Sequence, residues 1–167
     1  MMENLKNKIQ PTFDAMAAAI RNTPDSEFNN VPFPGSWTPA QAAQHIKLSI
    51  QNLPGMLQGK TEASDRKPDE KVKMVADVFL DFDTKMKSPE SIEPQMREYD
   101  KSKMSEFYET FGSQLEDVAN RLDLSEICLD FEIPVFGPMT RLEWIAFALF
   151  HTQRHTRQIE NMSSERV

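Results

Sequence analysis

The chain has 167 residues, a net charge of −7 from 19 basic and 26 acidic side chains, and one cysteine. That length suits a single domain over residues 1–167 with a substantial core, and both signs of charge are spread without a basic tract, which argues against a nucleic-acid binder, whose affinity rests on clustered cations. No apolar run approaches the roughly 20 residues of a membrane span, the N-terminus lacks the apolar stretch of a signal peptide, and a lone cysteine excludes an internal disulfide, so a cytoplasmic protein is expected.

Prolines and glycines divide the sequence into four long helical patterns. In the first, Leu5, Ile9, Phe13, Met16, Ala17 and Ile20 recur at helical spacing and stop before Asn22-Thr23-Pro24, with Pro11 either starting this helix or kinking it. A loop with Pro32, Pro34 and Gly35 follows. Thr38 is then placed to cap, Pro39 to take the first helical position and Gln41 to complete a capping box, predicting a helix to about Leu53, where Pro54-Gly55 stops it.

Gly59 to Lys67 reads as a solvated stretch, and Val72, Val75, Phe79 and Leu80 mark a short helix near Asp69 to Leu80. Asp81 to Tyr99, interrupted by Pro89 and Pro94, reads as an extended excursion across the bundle surface, a kind of connection that is often functional or mobile. Met104, Phe107, Phe111, Leu115, Val118 and Leu122 predict the third long helix, from Asp100 to Leu122. Leu124 to Phe136 suits a short extended segment, and there Cys128, between Ile127 and Leu129, is expected to be a buried, inert thiol.

The last helix has the strongest local signals: Gly137-Pro138 before it, Thr140 as cap and Glu143 as the box partner. It should run to about Met162. Its first half, Trp144 to Phe150, is apolar all round, which a two-sided core or a subunit interface explains. The expected architecture is therefore all-α: a four-helix bundle with a short extra helix and a long surface excursion.

The candidate chemistry lies in three histidines, His45, His151 and His155. His151 and His155 are four residues apart on one helix face and can converge on a common ion, a spacing that also fits a surface pair. His45, among alanines and Ile46, points inward or into a cleft; taken alone it is better read as a core histidine bonded to a carbonyl. Three neutral imidazoles suit zinc, nickel, copper or iron, and three protein ligands leave a position open for water or substrate. Such an ion either generates hydroxide for hydrolysis or activates a thiolate.

Ser36-Trp37-Thr38-Pro39-Ala40 leading into His45, then Phe136-Gly137-Pro138-Met139-Thr140, Glu143-Trp144 and His151-Thr152-Gln153-Arg154-His155-Thr156-Arg157-Gln158 together resemble the DinB/YfiT-like superfamily of small four-helix metalloproteins. The resemblance runs from about Phe33 to Met162, and over residues 60 to 125 it rests on the helical layout. It implies a divalent metal, often zinc or nickel, on His45, His151 and His155, and a homodimer, which Phe147 and Phe150 would suit. It also implies one of several activities, among them hydrolysis and transfer to a low-molecular-weight thiol. The fold does not choose among these. The alternative is a non-catalytic metal- or ligand-binding bundle that acts through an apolar partner surface.

Around the histidines, Gln158, one turn beyond His155, and Gln44, beside His45, are candidates to accept an imidazole N–H, although either would also serve as a solvent-facing glutamine. Arg154 and Arg157 are candidates to bind a carboxylate or thiol-conjugate substrate, with surface pairing as the plain alternative. Glu143 is accounted for by its capping box, Trp37 and Trp144 by packing, and Asp77, Asp81 and Asp83 by a solvated face.

Overall fold

The computed structural model describes residues 2–164. Four long helices dominate it, and each begins or ends where local chemistry dictates. α1 (Met2–Lys6) and α2 (Ile9–Asn22) divide the first periodic stretch between them, so Pro11 falls in the opening turn of α2, where a missing N–H costs no helical bond. A one-turn α3 (Asp25–Phe28) follows Pro24. α4 (Pro39–Ile50) carries the expected capping box: Gln41 N donates to Thr38 Oγ1 and Thr38 N to Gln41 Oε1, each at 3.0 Å.

Pro54-Gly55 does not simply end that helix. It lies inside a further short helix, α5 (Leu53–Leu57), because proline is tolerated in a first turn. The solvated stretch after it contributes a strand, β1 (Thr61–Glu62), which pairs antiparallel with β2 (Ile127–Cys128) in the register Thr61 to Cys128 and Glu62 to Ile127. Only these two residues of the predicted 124–136 segment form a strand; isolated bridges join Ile127 to Thr140 and Ile133 to Gly137. Cys128 is buried, and its thiol is pushed up to about 11, chiefly by desolvation, which keeps it protonated and inert.

α6 (Val72–Phe79) is the short extra helix, and the excursion beyond it holds one 3₁₀ turn, Glu90–Ile92. α7 (Lys101–Arg121) opens on Asp100, whose carboxylate accepts from Lys103 N at 3.0 Å. α8 (Arg141–Ser164) opens on the second predicted box, with Thr140 N donating to Glu143 Oε2 at 2.9 Å and Glu143 N to Thr140 Oγ1 at 3.1 Å. Gly137, at φ +66°, makes the turn into it in a conformation that disfavours a Cβ.

α2 packs along α7 and α8, and α8 also packs against α4 and α6. Their apolar faces meet in one cluster that includes Ile9, Phe13, Met16, Ile46, Tyr108, Phe111, Leu115, Ile145 and Leu149, all at 2 % exposure or less. The all-round apolar start of α8 is explained by this two-sided packing. Phe147 and Phe150, at 7 % and 8 % exposure, are covered by the chain's own elements, so the expectation that they form a dimer surface is corrected: no free face remains there. None of the described helices is long and apolar enough to cross a membrane.

Candidate metal centre

α8 packs between α4 and α6, and this arrangement sets His45 of α4 opposite His151 and His155 of α8. One turn of helix separates the α8 pair, so both rings leave the same face. Ring centroids lie 5.1 Å apart for His45 and His151, 4.8 Å for His45 and His155, and 5.1 Å for His151 and His155. One nitrogen from each ring falls within 4.8 Å of the other two, and among the described residues this is the one such group of three or more His, Cys, Asp or Glu. Cys128 and the carboxylates lie outside it.

The hydrogen bonds fix which nitrogen of each ring is available. A carbonyl only accepts, so His45 Nδ1, 2.9 Å from Ile92 O, carries the proton; Ser88 Oγ lies 3.3 Å from the same nitrogen and accepts as well. His155 Nδ1 likewise donates to Gln158 Oε1 at 2.6 Å. The Nε2 lone pairs of both rings are thereby free. His45 Nε2 and His151 Nε2 are 3.2 Å apart, and the edge of a tetrahedron built on metal–nitrogen bonds of 2.0–2.1 Å is about 3.3 Å. Without an ion, a proton on His151 Nε2 bridges that gap. His151 Nδ1 is buried with no partner, so this ring alone lacks a supporting acceptor.

Aromatic rings wall the group. Trp37 lies 5.1 Å from His45 and is stacked 6.3 Å from His155, while Phe79 and Phe147 flank His151 at 4.7 and 5.4 Å. Trp37 thus packs directly on the candidate ligands, whereas Trp144, 3 % exposed, packs against Phe147 at 5.5 Å.

Burial holds all three imidazoles in the neutral form that a metal requires. It pushes His45 down against the opposing pull of the Ile92 bond. His151 is held well below the ordinary value by burial, then by His155, His45 and Arg154. His155 falls to about 3, chiefly through desolvation, then through His45. The sign of the consequence is fixed: an unfolded chain takes up these protons near pH 6.5 while the folded chain resists. Metal-free protein is therefore expected to keep full stability above about pH 6.5 and to lose it progressively as the pH falls toward 3. Melting curves across that window check this, and a flat profile would show that the rings are not held neutral.

The flanking residues take different places. Gln158 accepts from His155. Arg154 directs its donors to backbone carbonyls, at 3.4 Å to Phe79 and 2.6 Å to Asp81, and also to Thr84. Arg157 lies over the Phe82 ring, 4.6 Å from its centroid. Gln44 does not bond His45; the proton acceptor is Ile92, on the excursion, a partner 47 residues away that no local spacing announces.

Comparison with curated proteins gave no match, and comparison with solved structures gave none either. The family model described as the DinB superfamily matches residues 9–159, which include His45, His151 and His155 and the rings that wall them, and the chain belongs to that superfamily.

Proposed function

We propose that the protein is a metal-dependent enzyme in which His45, His151 and His155 hold one divalent transition metal ion, zinc or nickel before iron or copper, and leave coordination positions open to substrate. The observation that carries this reading is the convergence of three neutral imidazole nitrogens within 4.8 Å, two of them freed by Nδ1–H bonds to oxygen acceptors. No fourth His, Cys, Asp or Glu among the described residues closes the group, which is the form of a catalytic rather than a structural site. When bound, such an ion supplies Lewis acidity and brings deprotonation of a coordinated water or thiol toward neutral pH.

The chain's own contribution is to position and to dry the site. Ile92 and Gln158 orient two rings, Phe79 and Phe147 exclude water from the third, and Trp37 covers the edge shared by His45 and His155. Hydrolysis and transfer to a low-molecular-weight thiol both fit this arrangement. The homodimer that the family resemblance implies would use a surface other than Phe147 and Phe150.

Protein prepared without chelator is expected to contain one equivalent of metal, and zinc or nickel added to stripped protein should raise Tm in a concentration-dependent manner, as any ligand of the folded state does. Absence of metal by elemental analysis, together with an unmoved Tm, would remove the basis of the proposal.

A further inference from the structure

The excursion between α6 and α7 crosses the histidine group and is fastened at both ends by side chains of the helices that carry the histidines. At one end Arg154, between His151 and His155 in sequence, donates to the carbonyls of Phe79, Asp81 and Thr84. At the other, the Ile92 carbonyl takes the His45 Nδ1 proton at 2.9 Å, and the Pro94 carbonyl accepts from Gln41 Nε2 at 3.4 Å. Between these fastenings residues 85–87 and 89–91 are exposed, and Ser88 Oγ lies 3.3 Å from His45 Nδ1. Arg157 over Phe82 adds one further contact.

Capping the end of α6 would account for the bond to Phe79, whose carbonyl has no helical partner. It does not account for Asp81 and Thr84, which lie beyond the helix. A planar guanidinium with five donors can serve three carbonyls at once, and a lysine cannot hold the same set in fixed geometry. Three of its five donors are committed in this way.

Resting on the metal-site reading, we propose that Arg154 is a positioning residue: it clasps the 79–94 strap to α8 and so holds the Ile92 carbonyl where it fixes the tautomer and orientation of His45. The strap is then part of the metal site, and Arg154 acts on the α4 ligand although it is carried by α8. Its loss leaves every ligand in place and removes the support of one.

The test uses the full chain as wild type, R154A and R154K. Imidazole ¹⁵N spectra of the metal-free protein at neutral pH should show His45 as the Nδ1–H tautomer in the wild type and as a tautomer mixture in R154A. Amide exchange across 84–93 should be at least about 10-fold faster in R154A, and release of bound zinc to a chelator about 10-fold faster or more, the scale of a lost ligand support. R154K, which keeps the charge and most of the packing, should show the same losses in smaller degree, and it decides the matter should R154A fail to fold. Wild-type exchange and an unchanged His45 tautomer in the variants would overturn the clasp. If the wild type binds no zinc, the metal reading fails on its own, while exchange and tautomer still decide whether Arg154 fastens the strap.

Discussion

Replacing His151 with alanine is expected to weaken metal binding by more than about 100-fold while leaving a folded bundle, because loss of a supporting residue alone already costs about 10- to 100-fold. The asymmetry of the site makes His151 the informative position. His45 and His155 each bond an acceptor through Nδ1, so their removal would also strand Ile92 O or Gln158. His151 Nδ1 has no partner to strand, and its burial holds the ring neutral at a cost that alanine removes. What the variant loses besides the ligand is packing against Phe79 and Phe147 and, in metal-free protein, the hydrogen bond to His45 Nε2. Competition titration with a chelator, read beside the melting curve of the metal-free protein, separates the two. Gln158→Ala should fall between, within the 10- to 100-fold range. Near-native affinity in the His151 variant would mean that the three imidazoles do not share an ion. A variant that mainly loses stability, with no activity toward thiol or ester substrates lost, would favour the non-catalytic bundle.

The parts of the fold legible in the sequence are those decided within a turn of helix. Both capping boxes, Thr38 with Gln41 and Thr140 with Glu143, form as their spacing requires; the apolar stripe of α2 is buried, and that of α7 is buried at Met104, Phe111, Leu115 and Val118, with Phe107 and Leu122 partly covered. What local pattern does not carry is pairing across the chain. β1 exists because Thr61 meets Cys128, and neither two-residue strand has enough length to announce itself. Pro54-Gly55 reads as a stop because such pairs usually punctuate; Pro54 sits instead in the first turn of α5, where its absent N–H is harmless. The same limit divides the site. Three histidines in helical context mark the candidate ligands, and the one-turn offset from His155 marks Gln158. The acceptor for His45 is a backbone carbonyl on the excursion, and a carbonyl leaves no trace in residue type. Arg154 was legible as a cation beside the site, but its partners are also carbonyls, so its occupation became visible only in three dimensions.

Glu143 governs stability more than chemistry, and its replacement by alanine should be among the most destabilising changes in this chain. The carboxylate is fully buried and takes four donors: Arg66 through both terminal nitrogens at 2.6 and 2.8 Å, Lys71 N at 2.8 Å and Thr140 N at 2.9 Å. Lys71 caps α6 and Thr140 precedes α8, so one negative charge satisfies the openings of two helices, where the helix dipole also favours it. Burial by itself would raise the Glu143 pKa; the bonds from Arg66, Thr140 and Lys71 outweigh it and hold the group below its ordinary value. Removing the carboxylate leaves two backbone donors and a guanidinium without their partner, a loss of about 3 kcal/mol, on the order of 10 °C in Tm for a chain of this size. Because the folded pKa is lowered, this contribution is present in full above the unfolded value near 4.5 and is lost as pH falls through the folded one. The gap in Tm between wild type and Glu143→Ala should therefore narrow in acid, a difference that cancels the histidine effect common to both proteins. Since α6 carries Phe79 to the His151 ring, a loosened α6 should also speed metal release in the variant. Equal Tm values at neutral pH would show that solvent replaces the carboxylate without loss, and that the two helix openings are held by their remaining contacts.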